Sequence, residues 1–150
     1  MEEKLSGERV EFLARDFVRG FPAHVGYTVE NVAFGKFETR LVIEPFHVQQ
    51  DGFVHAGVMA TMVDHTMGYA AFSTVAPDFR ILTVEFKINF LRPAKGRELI
   101  CRARVIKVGA KLVPTESEVF SWNDTEEQLV AKSMATMAAV PDRKLQHGEK

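Results

Sequence analysis

The sequence predicts an α+β domain in which a largely antiparallel sheet curls around one long central helix. Three observations predict it. Residues from Val54 to Ser73 are apolar on nearly every side when wound as a helix, and such a helix has to be enclosed by other elements. The second half of the chain holds four consecutive segments read as strands, the first two with a clear alternation of apolar and polar residues. The first half contributes a short amphipathic helix and a hairpin. With 150 residues, 46% of them hydrophobic, one domain over 1–150 is expected and disorder as the main state is excluded.

Each element has its own signal. Val10, Leu13, Ala14, Phe17, Val18 and Phe21 recur at helical spacing after Ser6, a candidate N-cap, and before Gly20 and Pro22, which stop helices. From Val25 to Ile43 the pattern is extended and breaks at Gly35-Lys36, which gives a two-stranded hairpin ended by Pro45. Gln49-Gln50-Asp51-Gly52 reads as a turn, the long helix follows, and Ala76-Pro77-Asp78 terminates it. Val84, Phe86, Ile88 and Phe90 then alternate with Glu85, Lys87 and Asn89 as far as Pro93. After a turn at Lys95-Gly96, Leu99, Cys101, Ala103 and Val105 alternate with Arg102 and Arg104. Strands over about Leu112 to Trp122 and about Leu129 to Val140 flank an Asn123-Asp124 turn, and 141–150 reads as a frayed tail.

Composition narrows the function classes. Nineteen Lys+Arg against 20 Asp+Glu leave a net charge of −1, without the basic excess of a nucleic-acid-binding domain. The longest apolar stretch, Phe53 to Ser73, is interrupted by His55, Asp64 and His65 and so lacks the roughly 18 uncharged residues of a membrane span. A single cysteine, Cys101, forms no intrachain disulfide, and Met1-Glu2-Glu3-Lys4 lacks the pattern of a signal peptide, so a cytoplasmic location is expected.

Chemistry concentrates on the central helix. Asp64 is a lone carboxylate between Met62-Val63 and Met67, where burial without a cationic partner favours a basic carboxylate. Gly57, Ala60, Asp64, Gly68 and Ala71 are three or four apart and share one face of small residues, which a substrate or a second copy of the helix could approach closely. A structural carboxylate bonded to a neighbouring strand is the plainer alternative. At the helix start, His55-Ala56-Gly57 presents free backbone N–H groups at the positive end of the helix dipole, an oxyanion-type site.

Other candidates carry less. His47, Asp51 and His55 are four apart, but the Gln-Gln-Asp-Gly turn between them opposes the helix such a metal site would need, and no metal is expected. Cys101 alternates with Leu99 and Ala103 on an apolar face and reads as core. Arg92, Lys95, Arg97, Arg102, Arg104, Lys107 and Lys111 face the single acid Glu98 within one stretch. Most of them read as a solvated strand face, with two or three, taken as Arg92, Lys107 and Lys111, available for the phosphates of a nucleotide-tailed thioester.

Gln49-x-x-Gly52-x-x-His55-Ala56-Gly57 followed by Asp64, with Thr83-Val84-Glu85 and Phe90-Leu91-Arg92-Pro93-x-x-Gly96 downstream, resembles the hotdog-fold acyl-CoA thioesterases of the PaaI-like group. The match runs from about Phe46 to Gly109. The resemblance implies a sheet wrapped on the helix, subunits joined edge to edge as a dimer or dimer of dimers with active sites between them, and hydrolysis of an acyl-CoA without a cofactor. It implies that Asp64 is the general base or nucleophile, that the Ala56 N–H polarises the thioester carbonyl, and that Gln49 contacts that carbonyl where the family usually has Asn. His55 matches the motif histidine, Gly57 belongs to the substrate-binding turn, and Thr83 matches a hydroxyl residue that helps hold the attacking water. Ala56 stands where the family's usual motif has Gly, which leaves the N–H available and adds a methyl beside the thioester. Strict alternation puts Thr83 with Glu85 on the face opposite Val84 and Phe86. A non-catalytic acyl-CoA binding protein on the same fold is the alternative, motivated by Gln49 and Ala56. A dehydratase is opposed by the absence of that subgroup's Asp-to-His spacing.

Overall fold

Ser6 begins the ordered architecture of the computed structural model, which describes residues 3–146: its side chain accepts from the Arg9 N–H and caps helix α1, Gly7–Phe17. Glu8 in the first turn and Arg15 in the last complement the helix dipole. Gly20 and Pro22 stop α1 as expected, but they also start a second short helix, α2, Phe21–Val25, which the sequence reading did not contain. Proline in the first turn forfeits no helical hydrogen bond, so the residue that ends one helix opens the next.

The hairpin is β1, Thr28–Ala33, and β2, Lys36–Val42, joined where Gly35 takes a positive φ of 69°. A single 3-10 turn, Pro45–His47, leads to the central helix α3, Ala56–Phe72, and then to β3, Phe79–Phe90, β4, Glu98–Val105, β5, Leu112–Trp122, and β6, Glu127–Pro141. Helix α4, Asp142–Gln146, follows in the segment read as a frayed tail. The Asp142 N–H donates to Asp78 O and its carboxylate meets Arg80 at 3.3 Å, which ties that segment back to the sheet. Residues 147–150 of the expected tail lie outside the described residues.

All six strands form one antiparallel sheet in the order β1-β2-β4-β5-β6-β3, so β1 and β3 are its edges. The inward residues of β5 and β6, including Val113, Val119, Ala131 and Met137, close on Met59, Met62, Val63, Met67 and Ala70 of α3. Buried hydroxyls are paired: Thr39 with Thr66 at 2.8 Å and Ser117 with Ser133 at 2.6 Å. The outer face of the sheet is a ladder of ion pairs, with Arg40 between Glu30 and Glu98, Arg102 between Glu38 and Glu127, Arg104 on Glu116 and Lys132 on Glu118. Among the described residues no helix is long and apolar enough to cross a membrane.

The enclosure of α3 is incomplete. Its inner faces are covered by the sheet and by α1, where Phe17 stacks with Phe37 at a centroid distance of 5.2 Å and meets Tyr69 edge-on. Gly57, Ala60, Thr61, Asp64 and Gly68 form a stripe that is exposed or half-buried, and a methyl group placed on Gly68 would touch nothing within 4 Å. Ala71, assigned to that stripe from its spacing, is buried.

Candidate active site

The start of α3 is built by its own cap. His55 sits in extended backbone at the N-cap position, and its Nδ1 accepts the Gly57 N–H at 2.8 Å. The Val58 N–H bonds back to His55 O. Of the N–H groups expected to be free, that of Ala56 has no hydrogen-bond partner among the described residues, while that of Gly57 is already used. Gly57 therefore serves as the capped residue that holds His55 in place, and not as a donor to a ligand.

A cleft of about 530 Å³ opens in front of Ala56, bordered by Gln49, Phe53, His55, Met59, Leu91 and Arg92 among others. Gln49 Oε1 accepts from the Asp51 N–H, which folds the side chain onto its own turn and leaves the amide NH₂ as its remaining donor. Arg92 donates to Leu129 O at 2.9 Å. His47 lies behind the turn, buried, with Nδ1 accepting the Glu44 N–H and Nε2 donating to Val25 O. Both of its nitrogens are thus engaged, which removes it from metal ligation.

Asp64 lies farther along the uncovered stripe and is half-buried, where the sequence predicts full burial. The reason is that the β3 edge reaches this side of α3 through Thr83 but does not close over it. Thr83 donates to Asp64 Oδ1 at 2.7 Å. This contact exists because β3 carries a bulge: Thr83 pairs with Met137 but Glu85 pairs with Thr136, so Val84 is an extra residue. The bulge reverses the alternation, putting Thr83 on the inner face with Phe86 and Ile88 and turning Glu85 outward to Thr136. Strict alternation gave Thr83 the wrong face.

Within one chain the Ala56 N–H and the Asp64 carboxylate are eight residues apart on one helix, a rise of about 12 Å. Asp64 and Thr83 border a second cavity of about 220 Å³, together with Asp16, His65, Gly68, Tyr69, Phe72, Arg80 and Ile81. Sequence reasoning missed Asp16, His65 and Tyr69; the spacing of four between His65 and Tyr69 was the available signal that they share a helix face with each other. Tyr69 donates to Asp16 Oδ2 at 2.8 Å and His65 Nε2 to Phe17 O at 2.9 Å. Burial holds the His65 imidazole below the usual histidine range, against the raising effect of its bond to Phe17 O and of Asp64 and Asp16.

The basic stretch is divided by the fold. Arg102 and Arg104 are spent on the outer ion-pair ladder and Arg97 pairs with Asp124, while Arg92 borders the Ala56 cleft. Lys107 and Lys111 lie in the β4–β5 loop at the other end of α3, where Val105 bonds Gly35 and Gly35 bonds Ser73, the C-cap of that helix. Cys101 is fully buried and its thiol is pushed up to about 12 by desolvation, as suits a core residue.

A curled antiparallel sheet around one long helix, with a carboxylate and a free helix-start N–H on that helix's uncovered stripe, defines a hotdog-fold protein of the thioesterase type. The chain belongs to the Thioesterase superfamily, whose pattern matches residues 51–128. It is 30% identical over 112 residues to human acyl-coenzyme A thioesterase 13, covering 73% of this chain and 76% of that protein. It is 26% identical over 126 residues to the 1,4-dihydroxy-2-naphthoyl-CoA hydrolase of Listeria monocytogenes, covering 83% of this chain and 99% of the other. A crystal structure of a thioesterase family protein from Silicibacter pomeroyi superposes with a TM-score of 0.84 at 34% identity, over 87% of this chain and 98% of that one.

Proposed function

We propose that the protein hydrolyses an acyl-CoA thioester to the free acid and CoA, in active sites completed where two copies meet. One observation carries the reading: a free helix-start N–H and an accessible carboxylate held by a hydroxyl occupy the same uncovered stripe of α3, too far apart to act on one carbonyl alone. A two-fold axis across α3 between them sets each half-site against the complementary half-site of the second copy. The β3 edge supports the same pairing. It is 12 residues long, is paired on one side only among the described residues, and exposes Val84, Phe86 and Phe90, the kind of bare apolar edge that invites association.

In the proposed step, the Ala56 N–H donates to the thioester oxygen as negative charge builds there, with the Gln49 amide as a second donor from the same cleft. From the facing copy, Asp64 either takes a proton from the water that adds to the carbonyl carbon or adds to that carbon itself, forming an anhydride that water then cleaves. In both routes the C–S bond breaks and CoA leaves as the thiol. The Thr83 bond orients the carboxylate through Oδ1 and leaves Oδ2 for the incoming water. Arg92 beside the cleft, and Lys107 and Lys111 brought toward it from the Ser73 end of the second copy, are the cations proposed for the CoA phosphates. The scheme uses no cofactor.

The test is thiol release from acyl-CoAs by wild type and Asp64→Asn. Loss of a catalytic base lowers kcat by about 10²–10⁴-fold while binding persists. A drop of less than about tenfold removes Asp64 from the chemistry. Wild-type protein that is stabilised by acyl-CoA but releases no thiol is a binding protein and not an enzyme.

A further inference from the structure

The 220 Å³ cavity beside Asp64 is a groove with a direction. Its floor is α3, where Asp64, Gly68 and Phe72 follow one another about one turn apart. One wall is β3, which runs the opposite way. Thr83 meets Asp64 at one end, at 2.7 Å, and at the other end the Arg80 guanidinium carbon lies 5.8 Å from the centre of the Phe72 ring. Between these two contacts the groove is bordered by Gly68 and Ile81, and a methyl group on Gly68 would touch nothing within 4 Å. The wall toward α1 is shut by the bond from Tyr69 to Asp16 Oδ2, at 2.8 Å. Arg19 holds Asp16 Oδ1 at 3.2 Å, so this carboxylate is occupied on both oxygens and ties α1 to α3.

The far end is closed by a side chain that is pinned. Arg80 donates to Pro77 O at 3.1 Å and to Phe79 O at 2.9 Å, and its other amino group meets the Asp142 carboxylate at 3.3 Å. Asp142 is anchored in turn through its N–H to Asp78 O. A guanidinium held in this way packs readily on an aromatic ring, because it is planar and weakly hydrated. Phe72 is fixed as well: Arg9 donates to Phe72 O and lies 4.6 Å from the same ring. From Asp64 to Phe72 the helix rises about 12 Å. The volume equals roughly seven water molecules at about 30 Å³ each. A chain that starts at a carbonyl beside Asp64 and runs over Gly68 therefore meets Arg80 after a short stretch.

Resting on the hydrolase reading above, we propose that this groove takes the acyl group and that Arg80, tied to Asp142 and laid on Phe72, is its end wall and sets the longest chain accepted. A chain longer than the groove has to displace Arg80 from two carbonyls, a carboxylate and a ring, or leave its last methylene groups in water. Gly68 sets the depth of the same groove. Glycine inside a helix is destabilising relative to alanine, and the room it leaves over α3 is the room the chain occupies.

The experiment measures kcat/KM for butanoyl-, hexanoyl-, octanoyl-, decanoyl- and dodecanoyl-CoA on wild type, and dissociation constants for the same esters on Asp64→Asn. Both readouts should improve from butanoyl to a medium chain and then worsen by about tenfold or more toward dodecanoyl, the scale set by a methylene group that a pocket cannot house. Arg80→Ala, which removes the end wall and leaves Asp64, Thr83 and Gly68 in place, should erase most of that fall. Asp142→Asn, which loosens Arg80 but keeps its guanidinium, should erase part of it. Gly68→Val, which raises the floor, should move the optimum to a shorter chain. A wild-type profile that stays flat to dodecanoyl, or a fall that Arg80→Ala leaves unchanged, overturns the end-wall assignment even if hydrolysis is intact. So does an Arg80→Ala effect of equal size on butanoyl and dodecanoyl, which marks a disturbed fold and not a longer groove. Failure of every ester to release thiol overturns the hydrolase reading separately, because the dissociation constants still report the length preference.

Discussion

At the scale of single residues, the bond from Thr83 to Asp64 is the contact on which most depends. A half-buried carboxylate with one oxygen fixed presents the other in a defined direction, whereas a free one rotates. Thr83→Ala is expected to lower kcat by roughly ten- to a hundredfold, the range for a hydrogen bond to a charged group, with KM little changed. Thr83→Ser should recover most of that loss, and a serine variant as slow as the alanine variant would point to packing and not to the hydroxyl. His65 supplies a second prediction. Its folded value lies below the ordinary 6.5, so the unfolded chain binds the extra proton first as pH falls. Stability at this residue is therefore complete above 6.5 and is lost as pH drops through 6.5 toward the lowered folded value. Urea midpoints of wild type should fall more between pH 7.5 and 5.5 than those of His65→Gln, and equal slopes would show that other groups carry the acid sensitivity. Asp64 stands out in the sequence because a charge inside an apolar helix is unusual, whereas the choice of the Ala56 N–H rests on the resemblance of the His55-Ala56-Gly57 motif, since any buried helix start has free donors. The partner of Asp64 was legible as a type but not as a direction, since one inserted residue in β3 reverses every face after it.

At the scale of elements, the long helix and the strand pairs follow from periodicity, and the turns that join them follow from backbone geometry. Gly96, between β3 and β4, has a φ of +126°, and a Cβ there would lie 2.5 Å from Trp122 O. Its own neighbour Arg97 donates to that same carbonyl at 2.8 Å, so the turn cannot move away. Gly96→Ala is expected to destabilise the fold by about 1–3 kcal/mol, read as a lowered urea midpoint at constant m-value. A change below about 0.5 kcal/mol would mean that the turn relaxes freely. The second helix, α2, escaped the sequence reading because Gly20 and Pro22 are stop signals for the helix before them and start signals for the one after. The extension of β3 back to Phe79 escaped it because Leu82, next to Ile81, breaks the alternation that Phe79, Arg80 and Ile81 begin.

At the scale of the whole molecule, the exposed edge and stripe make oligomerisation the feature on which the proposed activity turns. Phe86 lies on the inner face of an edge strand at 37% exposure. On the proposed two-copy arrangement, Phe86→Lys is expected to leave the circular dichroism spectrum unchanged, to lower the sedimenting mass, and to abolish thiol release, because Ala56 of one copy and Asp64 of the other then no longer face one another. A monomeric variant that keeps wild-type turnover would place a whole site within one chain and refute the two-copy arrangement.

Periodicity and composition over short windows are enough for the α+β class, the central helix, the succession of strands along the chain and the residue types available for chemistry, because each of these is a local property. Folding in three dimensions sets which side of α3 stays open, that the Gly57 N–H is consumed by His55, that Thr83 turns inward, and that Asp16 of α1 meets Tyr69 of α3. Those outcomes depend on register, on a one-residue bulge and on contacts between residues as many as 54 positions apart, and no local pattern encodes a distance that only the folded chain brings into being.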